Sequence, residues 1–183
     1  MNIQAPALDW LFVNESWIDI MGGSGSNPNP GGDPPSALPS PTEETTGIIH
    51  GHVLIVEDSE ADVFLIRKAI ERTKIPVTLH VVKDGVQAMQ FFDRADSDPA
   101  LPCPALVLLD INLPRRKGAE VLKYMRNTRR CAKARVIAVS SSDSPQDREE
   151  MTKLGAGGYF RKPSEYKEFM KLGDLVKALL LSL

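Results

Sequence analysis

The sequence predicts an α/β domain, a doubly wound parallel sheet of five strands, and three observations predict it. From His52 onward, short apolar runs alternate with helical patterns, and strand–helix alternation of this kind gives a parallel sheet with helices on both faces. The runs at 53–56, 106–109 and 136–139 are continuous, as strands buried on both faces are. Each run also ends in a polar residue: Glu57-Asp58, Asp110 and Ser140, with a fourth run, Gly158-Tyr159-Phe160, leading into Arg161-Lys162-Pro163. Ligands of open α/β sheets bind outside the carboxyl ends of the strands. As parallel neighbours these strands would bring three acids, a hydroxyl and an ammonium to one place, a set suited to a divalent cation and a phosphoryl group.

The elements follow in order. The first strand is 53–56. Ser59 N-caps the next helix, with Asp62 at its third position in a form of capping box, and Val63, Ile66 and Ile70 give the helix an apolar stripe. Val77, Leu79 and Val81 alternate with Thr78 and His80, which predicts a strand with one wetter face at the sheet edge. Asp84 opens a second helix carrying Val86, Met89 and Phe92, and 93–104 reads as a long loop. The third strand delivers Asp110. A helix over 118–127 buries Val121, Leu122 and Met125, and the fourth strand delivers Ser140. Ser144-Pro145 starts a helix whose few apolar residues, mainly Met151 and Leu154, predict light packing. A short strand near 157–160 precedes a last helix with Phe169, Leu172, Val176 and Leu179 on one face. The strand order predicted is 2-1-3-4-5, a flavodoxin-like (βα)5 arrangement.

The 183 residues carry a net charge of −2, unevenly placed. Residues 1–50 hold six acids and no Lys or Arg, leaving 22 basic and 18 acidic residues for the rest. That excess is too small to argue for nucleic acid. Residues 1–21 form a short apolar, helical-type segment with Trp10, Val13, Trp17 and Ile20 on one face, and 22–50 is a Gly/Pro/Ser-rich stretch that reads as a flexible linker before a domain at 51–183. The first segment reads as an interaction motif, with a core helix or a stretch without a role left open. Cys103 and Cys131 form no CxxC pair, so two free thiols are expected. His50, His52 and His80 lack ligand spacing and receive no role. No apolar run approaches a membrane span, and a cytoplasmic protein is expected.

The segments HVLIVEDSEADVFLIRKAI, LVLLDINLPRRKGAEVL, VIAVSSSD and LGAGGYFRKP resemble the receiver domain of two-component response regulators, in order and spacing over nearly all of 52–183. The EDSEAD and DINLPRRKG blocks and the long loop before the third strand are most similar to single-domain regulators that partner phytochrome-type sensor histidine kinases. The resemblance implies that Asp110 is the phosphoacceptor, that Asp58 binds Mg2+ directly, and that Glu57 acts through a bound water. It implies that Asn112 gives its backbone carbonyl to the metal, Lys162 contacts the phosphoryl group, and Ser140 is the switch hydroxyl. Tyr159 becomes the aromatic whose rotamer reports activation, Asn112 and Ser142 tune phosphoryl lifetime, and Lys162-Pro163 is expected to be cis. It also implies a stand-alone phosphoacceptor signalling protein that is not an enzyme, catalysing only its own aspartyl phosphorylation and dephosphorylation. Readout, and a possible homodimer, would use the surface of the fourth helix, fifth strand and last helix. The basic Arg115-Arg116-Lys117 stands where relatives often carry an acid before the glycine, which bears on partner choice.

Two rival readings are weaker. A phosphatase of the haloacid dehalogenase type also uses an Asp nucleophile at a strand end with Lys, Ser/Thr and Mg2+, but it needs an acid where Asn112 stands and its nucleophile on the first strand. A DNA-binding regulator needs more than the single helix expected after Lys162.

Overall fold

The computed structural model describes residues 51–182. The apolar segment expected at 1–21 and the linker expected at 22–50 lie outside the described residues, and so does Leu183. Five strands form one parallel sheet: β1 (Gly51–Val56), β2 (Val77–Val82), β3 (Leu106–Asp110), β4 (Arg135–Ser140) and β5 (Gly158–Arg161). Their order is β2-β1-β3-β4-β5, as the run pattern predicts. Every residue of β3 is buried, whereas most of β2 is half-exposed, which is the expected difference between a central and an edge strand.

The helices are α1 (Glu60–Arg72), α2 (Gly85–Ser97), α3 (Gly118–Arg126), α4 (Pro145–Lys153), α5 (Tyr166–Phe169) and α6 (Lys171–Leu181). Alternate strand residues point to opposite faces. Val53, Ile55, Leu106, Leu108, Ile137 and Val139 join Ile66 and Ile70 of α1 and Leu172, Val176 and Leu180 of α6 in one core. Helices α2, α3 and α4 neighbour one another in a second row. The side chains of Ser59, Asp84 and Ser144 cap α1, α2 and α4 as predicted, accepting from the amides of Asp62, Gln87 and Asp147. Only Met151 of α4 is buried.

Four expectations are corrected. Helix α2 continues to Ser97, through the first five residues of the stretch read as loop, because partners from the segment after α3 hold its C-terminal end. The Arg130 guanidinium donates to the carbonyls of Ala95, Asp98, Pro99 and Leu101, and the Asp96 carboxylate accepts from the amides of Arg129 and Arg130 at 2.7 and 2.9 Å. The buried stripe of α2 is Ala88, Phe92 and Ala95, with Val86 and Met89 only half-buried. The same meeting of loops brings Cys103 and Cys131 together as a disulfide, with Cα atoms 5.3 Å apart, where free thiols were expected. Finally, the last helix is two, interrupted at Met170, and Leu180 rather than Leu179 lies fully in the core.

Gly173 makes the α1–α6 packing feasible. A Cβ there would overlap the Ala69 carbonyl group, lying 2.6 Å from its carbon and 3.0 Å from the Thr73 side chain. One obstacle is α1 backbone and the other is the C-cap residue that ends α1, so the helices would have to separate. Gly173→Ala should therefore destabilise the domain by at least about 2 kcal/mol. The check is a lower urea midpoint with an unchanged m-value.

Candidate functional site

The C-terminal tips of β1, β3, β4 and β5 carry the predicted site residues, and the parallel register brings most of them together. Glu57 and Asp58 follow β1 directly, Asp110 ends β3, and Ser140 ends β4. Lys162 follows β5, and its backbone amide donates to the Ser140 carbonyl at 2.7 Å, extending the β4–β5 pairing past the strand end. Glu57, Asp110 and Ser140 are buried, and Asp58 is exposed.

Glu57, Asp58 and Asp110 can each offer one carboxylate oxygen with all three atoms within 4.8 Å of one another. Like charges ~4 Å apart repel by about 4 kcal/mol at an effective dielectric of ~20, so such a trio calls for positive charge. The Lys162 ammonium supplies some of it, donating at 2.7 Å to both Glu57 Oε2 and Asp110 Oδ2. The other Asp110 oxygen, Oδ1, accepts from the Asn112 amide at 2.8 Å. Burial pushes the Glu57 carboxyl up to about 7, against the opposing pull of its Lys162 hydrogen bond. Burial alone would lower the Lys162 ammonium, but its bonds to Asp110, Asp62 and Glu57 outweigh that and hold it above the usual lysine range. The donor set fits a hard divalent cation. Carboxylates and carbonyls suit such ions, and the three acids exceed the single charge of the lysine.

Asp62 is the site residue that sequence reasoning missed. It reads as the third position of a capping box, and half of that box is present, with the Ser59 hydroxyl accepting from the Asp62 amide at 3.3 Å. The other half is not. The Ser59 amide donates to Glu57 Oε1 at 3.2 Å, and the Asp62 carboxylate instead accepts from Lys162 at 2.7 Å. The available signal was its place one turn beyond Glu57-Asp58, on the helix face that leaves β1.

The peptide bond expected to be cis, Lys162-Pro163, is trans. Trans is the lower-energy form by about 0.5–1 kcal/mol, and from it the ammonium still reaches Glu57, Asp62 and Asp110. The side chain of Asn112 is exposed. The basic loop is anchored rather than free: Arg115, with φ at 65°, pairs with the buried Asp84 at 3.3 Å, and Arg116 pairs with Glu120 at 3.1 Å.

A second chain of contacts leaves the site at Ser140. Its Oγ accepts from the Ser142 amide at 3.1 Å, and the Ser142 carbonyl accepts from the Tyr159 hydroxyl at 2.9 Å. The Arg148 guanidinium of α4 lies over the Tyr159 ring, 4.7 Å from its centre. The predicted switch pair is thus connected through Ser142, and onward to α4. His52 and His80, which the sequence leaves without a role, meet across β1 and β2 at 3.0 Å, a structural contact away from the acids.

Comparison with known proteins agrees with this geometry. The sequence profile of the response regulator receiver domain matches residues 53–173. The response regulator Rcp1 of Synechocystis sp. is 30% identical over 120 residues, covering 66% of this chain and 82% of Rcp1. Among solved structures, the phosphorylated cyanobacterial phytochrome response regulator RcpA superposes with a TM-score of 0.66 at 27% identity, covering 73% of this chain and 95% of RcpA. The Mn2+-bound form of Rcp1 superposes with a TM-score of 0.65 at 28% identity, covering 73% of this chain and 96% of that one. Among the described residues no helix is long and apolar enough to cross a membrane.

The elevated Glu57 carboxyl carries a pH signature. With its folded value near 7 and its ordinary value at 4.5, its contribution to stability is fully present below about pH 4.5 and is lost as pH rises through about 7. With divalent cations chelated, the melting temperature should fall by several degrees across that window. Glu57→Gln, which cannot ionise, should flatten the fall. Parallel pH profiles for the two proteins would show that Glu57 is not the group responsible.

Proposed function

The chain belongs to the response regulator receiver family, and from that premise we propose that Asp110 accepts a phosphoryl group from the phosphohistidine of a sensor histidine kinase. The observation that carries this reading is the Asp110 carboxylate itself. It is buried at a strand tip, held by an ammonium on one oxygen and an amide on the other, with two further acids within reach of a shared cation. The resemblance to a phytochrome response regulator supports a phytochrome-type kinase. The 82% of Rcp1 that the match covers supports a receiver acting as a stand-alone signalling protein. A kinase drawing on ATP would place the encounter in the cytoplasm.

The cation proposed is Mg2+, with Asp58, Asp110 and the Asn112 carbonyl as ligands and Glu57 acting through water. This ion takes one or two carboxylates and keeps several waters. When bound it supplies positive charge to the oxygens of the transferring group. In the transfer, an Asp110 oxygen attacks phosphorus. A new O–P bond forms, the N–P bond of the phosphohistidine breaks, and its electron pair returns to the imidazole nitrogen. Lys162 donates an N–H to a phosphoryl oxygen and the Ser140 hydroxyl donates to another.

Readout follows the contacts already described. A Ser140 hydroxyl turned to the phosphoryl group withdraws from the Ser142 amide. That shift reaches Tyr159 through the Ser142 carbonyl and α4 through Arg148. The surface of α4, β5 and α6 would then change shape as a population shift. The same face is the one proposed for partner binding and for a homodimer.

Intact-mass measurement after acetyl phosphate and Mg2+ tests the assignment. One added phosphoryl group is expected on the natural protein and none on Asp110→Asn; a modified Asp110→Asn would refute it. Millimolar Mg2+ should also raise the melting temperature by several degrees, through binding to the folded state alone. An unmoved melting temperature would count against the metal site.

A further inference from the structure

The Lys162 ammonium has three N–H donors, and three carboxylates take them, each at 2.7 Å: Glu57, Asp62 and Asp110. Asp110 is the group proposed to react, and Glu57 belongs to the acidic trio. Asp62 belongs to neither. It sits in the first turn of α1, outside the three acids that can share an ion. Its carboxylate is free to face the lysine because the Ser59 amide, which it would otherwise cap, is already bonded to Glu57. The Asp62 side chain is 27% exposed against 11% for Lys162, so the acid keeps some contact with water while the ammonium is almost enclosed.

A lysine ammonium is a point charge on a flexible stem with rotatable donors. Held by one partner, it can pivot. Held by two, it has one direction left for its third N–H. Phosphorylation of Asp110 requires that third N–H to pass from a carboxylate oxygen to a phosphoryl oxygen, while the other two can stay where they are. We propose that Asp62 is a positioning residue, which with Glu57 fixes the Lys162 ammonium so that its remaining N–H is aimed at Asp110 and at the phosphoryl group carried there. The inference rests on the reading of Asp110 as phosphoacceptor. The opposite role, an acid that draws Lys162 away from the phosphoryl group, would have the opposite sign and is separated by the same measurements.

The test uses the full chain with Mg2+ and beryllofluoride, a phosphoryl analogue whose binding is followed by fluorine NMR, together with the rate of modification by acetyl phosphate. Asp62→Ala should weaken beryllofluoride binding by about tenfold, the effect of losing one charge-assisted hydrogen bond. It should slow modification at saturating acetyl phosphate rather than only raise the concentration needed. Asp62→Asn retains an acceptor oxygen and should stay within about threefold of the natural protein. In a Lys162→Ala background, Asp62→Ala should cause no further loss, since the partner it positions is gone; Lys162→Met, which keeps most of the stem, serves if the alanine variant does not fold. Unchanged or tighter beryllofluoride binding by Asp62→Ala would overturn the proposal, and so would an equal loss with and without Lys162. Failure of the natural protein to bind beryllofluoride or accept a phosphoryl group would instead remove the phosphoacceptor reading, and this inference with it.

Discussion

A single ammonium group holds the tips of three strands in one cluster. Lys162, following β5, bonds Glu57 at the end of β1, Asp110 at the end of β3 and Asp62 in the first turn of α1. Without it, carboxylates a few ångströms apart would face one another in a poorly solvated cleft. Breaking such a buried arrangement by removing one partner commonly costs about 3–5 kcal/mol, a large fraction of the ~5–15 kcal/mol that stabilises a whole domain. Yet one positive charge cannot neutralise Glu57, Asp58, Asp62 and Asp110. The site is therefore assembled but short of positive charge, the condition in which a divalent cation binds with most effect.

The rest of the fold keeps that cluster rigid. Its floor is the fully buried β3, paired on one side with β1 and on the other with β4. The β3–α3 loop is fastened from two directions. The Gly118 amide donates to the Ile111 carbonyl at 3.0 Å, and the absence of a Cβ lets α3 begin where a side chain would sit 2.9 Å from the Ile111 Cα. From the other side, Asp84 at the start of α2 holds Arg115. The residue next to Asp110, Ile111, is thus fixed by α3, and the basic loop beyond it by α2. A partner meeting Arg116 and Lys117 would meet a surface already in place.

What the sequence made legible and what it hid divide along physical lines. Continuous apolar runs ending in Asp110 and Ser140 announced central strands and their tips, because burial on both faces leaves no alternative composition. The strand order followed from the contrast between those runs and the alternating Val77 to Val81. The features that were missed depend on pairs distant in the chain. Asp62 carries the same local signal whether it caps a helix or meets Lys162, a hundred residues away. Cys103 and Cys131 show no common motif, and only the loops after α2 and α3, strapped by Arg130, bring them together. The extra turns of α2 come from the same strap. The break at Met170 follows no proline or glycine at that position; what can be seen is that Gly173, three residues on, needs close contact with α1.

The device that would transmit a phosphoryl signal is built on a lightly packed helix. Helix α4 buries one side chain, Met151, so moving it exposes little apolar surface; at about 25 cal/mol per Å2 a displacement of that helix is opposed far less than one of α1 or α6 would be. Its attachment to the site runs through Arg148 on the Tyr159 ring, Tyr159 on the Ser142 carbonyl and Ser142 on the Ser140 hydroxyl. None of these is an ion pair, and each can be exchanged for another partner at a cost of about 1 kcal/mol. A tightly held acidic cluster beside a loosely held helix is the combination a two-state signal requires. A charge change at Asp110 would fall on the tightly held cluster, so the adjustment would fall on α4.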